Sequence, residues 1–146
     1  MRAKLWLATV YAAALVVAGC GDSADPDTGP CADRTGGALI TFDIAGTESM
    51  TVWATGHTFI AEALELEGSD SARIPQFNDL VDGADCDEQW SWHVDPADMT
   101  WVDATIELCD GLPSGIETDK SYWLGTVDQY CPWTASVAEV ALDSLK

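Results

Sequence analysis

Residues 39–45 alternate strictly, with Ile40, Phe42 and Ile44 on one side and Thr41 and Asp43 on the other. A period of two is the signature of a half-buried strand and is incompatible with a helix. After a short turn over residues 46–48, Met50, Val52 and Ala54 continue the pattern, so the two segments read as a hairpin. Alternation returns at residues 89–94, where Trp90, Trp92 and Val94 share a face opposite Ser91 and His93. It returns again at residues 101–109, with Val102, Ala104, Ile106 and Leu108 expected inward and Trp101, Asp103, Thr105 and Glu107 on the other face. Between these two runs Asp95, Pro96, Ala97 and Asp98 suit a type I turn, because proline presets its second position and aspartate favours its first. The two runs are therefore expected side by side, as the centre of a sheet.

The other elements are shorter. Thr58 is placed to cap a helix over residues 58–67, in which Phe59, Ile60, Ala63, Leu64 and Leu66 gather on one side and Gly68 ends the run. Residues 69–87, broken by Pro75 and turned by Asp82 and Gly83, read as an irregular excursion. Ser114 and Glu117 have the spacing of a capping box and predict one helical turn. Residues 122–124 read as a short strand or packed loop, and residues 133–142 as a closing strand. Together these predict a mainly β fold with a small α part: five to six antiparallel strands in a sandwich or open barrel, with one helix packed against them.

The richest stretch, residues 85–113, gathers Trp90, Trp92, Trp101, His93, Cys86, Cys109 and eight acidic residues. If its strands align, His93 lies near Asp103 and Glu107, a cluster suited to holding a metal or to general acid/base chemistry. A slip of one residue would send each of these side chains to the other face. Asp82, Asp85, Asp87 and Glu88 form an acidic loop with the hard oxygen ligands that calcium takes, although without the spacing of an EF-hand loop. No other cofactor is indicated: neither a G-x-S-x-G elbow nor a glycine-rich phosphate loop is present. Trp53, Trp90, Trp92, Trp101, Trp123 and Trp133 admit a sugar-stacking role beside these carboxylates, against the simpler one of filling a core.

The start of the chain reads differently. Arg2 and Lys4 precede a largely apolar run over residues 5–18, shorter than the roughly 20 residues that span a bilayer, so residues 1–19 form a signal peptide. Its end, Val17, Ala18, Gly19 and Cys20, resembles the lipobox of bacterial lipoproteins. The resemblance implies a diacylglycerol thioether on Cys20, cleavage before it and acylation of the new amine, enough lipid for stable attachment to a membrane. It also implies a place in the cell envelope, outside the cytoplasm. Gly21 is not the aspartate that holds lipoproteins at an inner membrane, which favours the outer membrane where one exists. Residues 20–37, rich in Gly, Pro, Asp and Thr, form the tether, and residues 38–146 one domain.

Loss of the signal peptide removes Arg2 and Lys4 and no acid, taking the formal charge from −19 to −21. Nucleic acid is excluded as a partner, because phosphate is bound by clusters of Lys and Arg that this chain lacks. With Cys20 lipidated, Cys31, Cys86, Cys109 and Cys131 remain, and an oxidising compartment favours two disulfides from three possible pairings. Cys109 with Cys131, at element ends, and Cys31 with Cys86, clipping the tether to the acidic loop, is the expected choice; zinc lacks a C-x-x-C pair. The expected function is a non-catalytic binding or structural domain with a protein or glycan ligand. The alternatives are a carbohydrate- or calcium-binding module, or an enzyme using His93 with Asp103 or Glu107.

Overall fold

The computed structural model describes residues 29–70 and 72–143. The expected signal peptide, Cys20 and residues 21–28 of the expected tether lie outside the described residues. The fold is mostly β: eight strands in three antiparallel sheets with a few short helices, none of the sheets closing into a barrel, a sandwich with a small helical part.

The first sheet has the order β2-β1-β8 and is built on β1 (Ala38–Ile44), which pairs with β2 (Glu48–Ala54) on one edge and β8 (Ala135–Leu142) on the other. Both the hairpin and the closing strand follow the alternation of the sequence. Ile40, Phe42 and Ile44 are fully buried on the inner face. On the outer face Leu39 lies opposite Trp53, and both are covered by Cys31 in a second, smaller apolar cluster. The end of the tether is therefore packed: Arg34 pairs with Asp85, and Gly36 N–H donates to Asp143 Oδ2 at 3.0 Å.

Helix α1 (His57–Leu66) buries Phe59, Ile60 and Ala63, while Leu64, expected on the same side, is exposed. The cap position is Gly56, not Thr58, and no side chain bonds there. Gly68 does end the element, in the left-handed region at φ +66° that favours glycine. The end of α1 covers the free edge of β8, since Glu67 Oε1 accepts from Val140 N–H at 2.9 Å and Gly68 N–H donates to Val137 O at 3.1 Å.

The largest departure from expectation lies in residues 69–87. They contain two strands, β3 (Ile74–Asn78) and β4 (Leu80–Asp82), separated by Asp79 at φ +55°. Opposite them run β5 (Trp92–Val94) and β6 (Met99–Val102). β4 pairs with β5, and β3 with β6, so β5 and β6 lie end to end instead of side by side. The turn at residues 95–98 forms, with Asp98 N–H on Asp95 O at 3.3 Å and Ala97 N–H on Asp95 Oδ1 at 2.8 Å, but it makes a corner and not a hairpin. From the Leu80–Val94 pair to the Phe77–Met99 pair, two residues on one strand face four on the other. That mismatch bends the ribbon. Pro75 is tolerated in β3 because β7 (Gln129–Tyr130) reaches only Phe77 and Asn78, leaving Pro75 with a neighbour on one side alone.

The segment expected as the clearest strand, residues 101–109, leaves the sheet after Val102 and ends in a 3-10 turn at Glu107–Cys109. The expected inward face is lost: Trp101 packs against the core, while Ala104, Ile106 and Leu108 are exposed along with Asp103 and Glu107. Helix α2 (Pro113–Thr118) starts with proline at its first position, and no capping box forms, because Ser114 and Glu117 bond to other elements. Residues 122–124 are helical, spanning the end of α3 (Lys120–Tyr122) and a π-type turn, Trp123–Val127.

Aromatic rings join the sheets. Phe42 of β1 meets Phe77 of β3 edge to face at 5.5 Å between centroids, and Trp101 of β6 stacks on Phe59 of α1 at 4.9 Å. Trp101 Nε1 also donates to Phe59 O at 3.1 Å. Tyr130 is enclosed by Phe77, Trp92 and Trp123, and its hydroxyl donates to Gly111 O at 3.0 Å. Its phenol is pushed strongly upward, by burial first and then by the charges of Glu48 and Asp110.

Two glycine substitutions distinguish close packing from open space. A Cβ at Gly37 would collide with the Ala54 carbonyl and come within 2.7 Å of the Trp53 ring, whereas one at Gly115, inside α2, meets nothing within 4 Å. Gly37→Ala is expected to cost about 1–3 kcal/mol, as overpacking does. Gly115→Ala is expected to gain about 0.5–1 kcal/mol of helix propensity. Urea midpoints of the two variants measure both.

Candidate functional site

Much of the acidic, aromatic centre does meet in one place. Asp85, Asp87, Trp90, Trp92 and His93 line a narrow crevice, with room for about one water molecule, whose other wall is Met50, Thr51, Val52 and Trp53 of β2. β2 is the edge of its sheet, and its outward backbone groups need partners. The loop supplies them. Asp87 Oδ2 accepts from Thr51 N–H at 2.8 Å, and Ser49 O accepts from Gln89 Nε2 at 2.9 Å and from Trp90 Nε1 at 3.2 Å. Asp87 is itself set by Gln89, whose backbone N–H and Nε2 donate to it at 3.2 and 3.0 Å. Glu48, at the start of β2, accepts from Ser114 N–H at 2.9 Å and Ser114 Oγ at 2.6 Å. Just past the strand's end, Thr55 N–H and Oγ1 both donate to Pro96 O, at 2.9 and 3.0 Å. Along this wall the polar side chains are joints between elements.

The expected cluster of His93, Asp103 and Glu107 does not form. His93 sits on β5 with Nδ1 2.7 Å from Gly83 O. Asp103 follows β6 and pairs with Arg73 at 2.6 Å, and Glu107 opens the exposed 3-10 turn. Their common face assumed that the two strands were adjacent, and the fold pairs each with β4 or β3 instead. The acidic loop is likewise dispersed. Asp82 pairs with Lys120 at 2.6 Å, Asp85 pairs with Arg34, Asp87 holds β2, and Glu88 is exposed. Among the described residues only Cys31, Asp85 and Cys86 bring three potential ligand atoms within 4.8 Å of one another, and two of these are the sulfurs of one bridge. The four carboxylates therefore do not converge as a calcium loop would, because Asp82, Asp85 and Asp87 are each taken by a different element.

The structure brings the cysteines together as Cys31 with Cys86, Cα atoms 5.3 Å apart, and Cys109 with Cys131, 5.2 Å apart. Of the tryptophans, Trp53 and Trp92 are buried and Trp90, Trp101 and Trp123 half-buried against the core. Among the described residues Trp133 alone is exposed, so no platform of several rings is presented. Trp92 Nε1 is buried without a hydrogen-bond partner. His57 is the exposed first residue of α1.

Other joints carry no local sequence signal, because they involve residues far apart in the chain. Arg73 bridges Glu62 at 2.6 Å, Asp103, and the Trp101 carbonyl at 3.2 Å, which ties α1 to β6 and holds the guanidinium firmly charged. Glu117 accepts from Ser91 N–H at 2.9 Å and Ser91 Oγ at 2.8 Å, while Lys120 Nζ reaches Ser91 O and Oγ at 3.2 and 3.0 Å. The two hydrogen bonds from Ser91 hold the Glu117 carboxyl below the usual range, and the bond and charge of Lys120 do the same for Asp82.

Because the folded pKa of Glu117 is depressed, its contribution to stability is present above the ordinary glutamate range and is lost as pH falls through the depressed value. In a carboxyl-carbon NMR titration Glu117 is expected to titrate below the ordinary glutamate range. Ser91→Ala, which removes the hydroxyl donor, should move Glu117 back toward that range.

The profile of the BP-74 N-terminal domain matches residues 37–142. No curated protein and no solved structure matches the chain significantly. The matched span runs from the glycine packed under Trp53 to the last residue of β8, so it includes all eight strands, both cleft walls and the Cys109–Cys131 bridge. The chain belongs to the BP-74 N-terminal domain family.

Proposed function

We propose that the protein is a lipoprotein of the bacterial cell envelope, attached through Cys20, whose stapled β domain stands outside the cytoplasm and binds without catalysing. The observation that carries this reading is the cysteine arrangement: all four cysteines of the described residues lie in pairs at disulfide distance. Such pairs persist in oxidising compartments and are rare in the cytosol. The fifth cysteine, Cys20, stands where the lipobox resemblance needs it. Among the described residues no helix is long and apolar enough to cross a membrane. Lipid on Cys20 would provide the attachment, and Gly21 favours the outer membrane where there is one.

The binding reading is favoured over the catalytic one by the dispersal of His93, Asp103 and Glu107. His93 Nδ1 faces the Gly83 carbonyl, and neither Asp103, which pairs with Arg73, nor Glu107 joins it as the expected cluster requires. With the mature charge of −21, anionic partners such as nucleic acid are disfavoured and cationic ones favoured.

In a bacterial host fed radiolabelled palmitate, the full chain is expected to take up label and to sediment with membranes, and Cys20→Ala to do neither. Alkylation before and after reduction should reveal four additional thiols in the lipidated chain. Wild-type protein that carries no label would refute the anchor.

A further inference from the structure

Three exposed apolar side chains that the core does not use lie in the two segments joined by the second disulfide. Ile106 and Leu108 are 60% and 55% exposed and Trp133 is 44% exposed. The Cys109–Cys131 bridge joins the chain just after Leu108 to the chain just before Trp133. Cys131 N–H donates to Cys109 O at 2.8 Å, Trp133 N–H to Asp110 Oδ1 at 2.9 Å, and Cys109 Sγ lies 3.2 Å from the Ile106 carbonyl. Trp133 lines an open depression of about 230 Å³ together with Ile74, Asp103, Ala104 and Thr105. A single exposed apolar residue needs no explanation, but three held around one crosslink form a patch of the kind that marks an interaction surface.

The chemistry around the patch narrows what can cover it. Asp103, Glu107 and Asp110 are interleaved with the apolar residues, and no lysine or arginine occurs between residues 102 and 119 or between 121 and 143. Arg73, which reaches Asp103, is shared with Glu62. An anionic lipid surface would be repelled, and a second copy would bring the same excess of acid. A partner that buries the apolar residues and leaves no acid uncompensated must carry both apolar and basic side chains.

We infer that this face docks a cationic amphipathic segment of another protein, its apolar side chains on Ile106, Leu108 and Trp133 and its lysines or arginines beside Asp103 and Glu107. Helical segments with one apolar and one basic face have this composition. Trp133 is the natural anchor, tryptophan being enriched where binding energy concentrates. The inference rests on the binding-domain reading above and gives it a surface and a partner chemistry.

The test uses the full chain in a non-ionic detergent, with empty micelles as the blank, and a labelled peptide of lysine and leucine at helical spacing. Peptides with glutamate for lysine, or serine for leucine, are the controls. The lysine–leucine peptide is expected to bind in low salt and to weaken as salt rises. Both controls, and the variants Ile106→Ser with Leu108→Ser, Trp133→Ser and Glu107→Lys, should bind at least about tenfold more weakly, as for loss of a central contact. These positions are exposed, and an unchanged Tm confirms that each variant is folded. Equal binding of the glutamate–leucine peptide, or undiminished binding by the folded variants, would overturn the inference. So would a concentration-dependent dimer of the wild type that the Ile106→Ser, Leu108→Ser variant abolishes, since the patch would then cover itself. Palmitate labelling is independent: an unlabelled chain that binds the peptide refutes the anchor alone, and a labelled chain that ignores it refutes the docking alone.

Discussion

β2 leaves a row of backbone hydrogen-bonding groups facing away from β1, and the segment around Asp87, Gln89, Trp90 and Pro96 meets them. Asp87 takes the Thr51 N–H, Gln89 and Trp90 take the Ser49 carbonyl, and Pro96 takes both donors of Thr55. An uncovered edge would invite another strand, so covering it protects the domain as well as holding it together. The cover also decides topology. Once residues 87–96 are drawn along β2, β5 and β6 extend along the bent ribbon of β3 and β4 and do not fold back on each other. The Cys31–Cys86 bridge and the Arg34–Asp85 pair secure the start of this cover to the packed end of the tether.

Alternation is a sound guide where a strand has neighbours along its whole length. Ile40, Phe42 and Ile44 face the core because β2 and β8 both pair with β1 throughout. The same pattern misleads at residues 102–108. Ala104, Ile106 and Leu108 repeat as a strand would, yet no partner strand lies beside them, and Cys109 is drawn to Cys131 through a 3-10 turn. In residues 69–87 the expected breaker Pro75 acts differently from expectation. It sits in a ladder that has a neighbour on one side only, and the ribbon bends at Asp79, which no local signal marks. The capping box fails for a related reason: Ser114 and Glu117 find Glu48 and Ser91, partners that are remote in sequence.

The candidate site is legible in the sequence as a location more than as chemistry. Asp85, Asp87, Trp90, Trp92 and His93 do line one cleft, as their crowding in the chain suggests. Their roles depend on register and on which elements compete for each carboxylate, and neither is written locally. On the proposed reading the centre serves function indirectly, by covering the edge of β2. The apolar residues left over, Ile106, Leu108 and Trp133, flank the Cys109–Cys131 bridge. On the proposed docking, the strong negative charge would select among partners by sign.

That the acidic centre is structural can be measured at one amide. Hydrogen exchange at Thr51, followed by NMR in the wild type and in Asp87→Ala, reads the bond that joins the acidic loop to the edge of β2. A protected Thr51 amide is expected in the wild type and much faster exchange in the variant, with a stability loss of about 1–3 kcal/mol for a donor left unpaired. Equal protection of Thr51 in the two proteins, with unchanged stability, would contradict a structural role for the acidic centre.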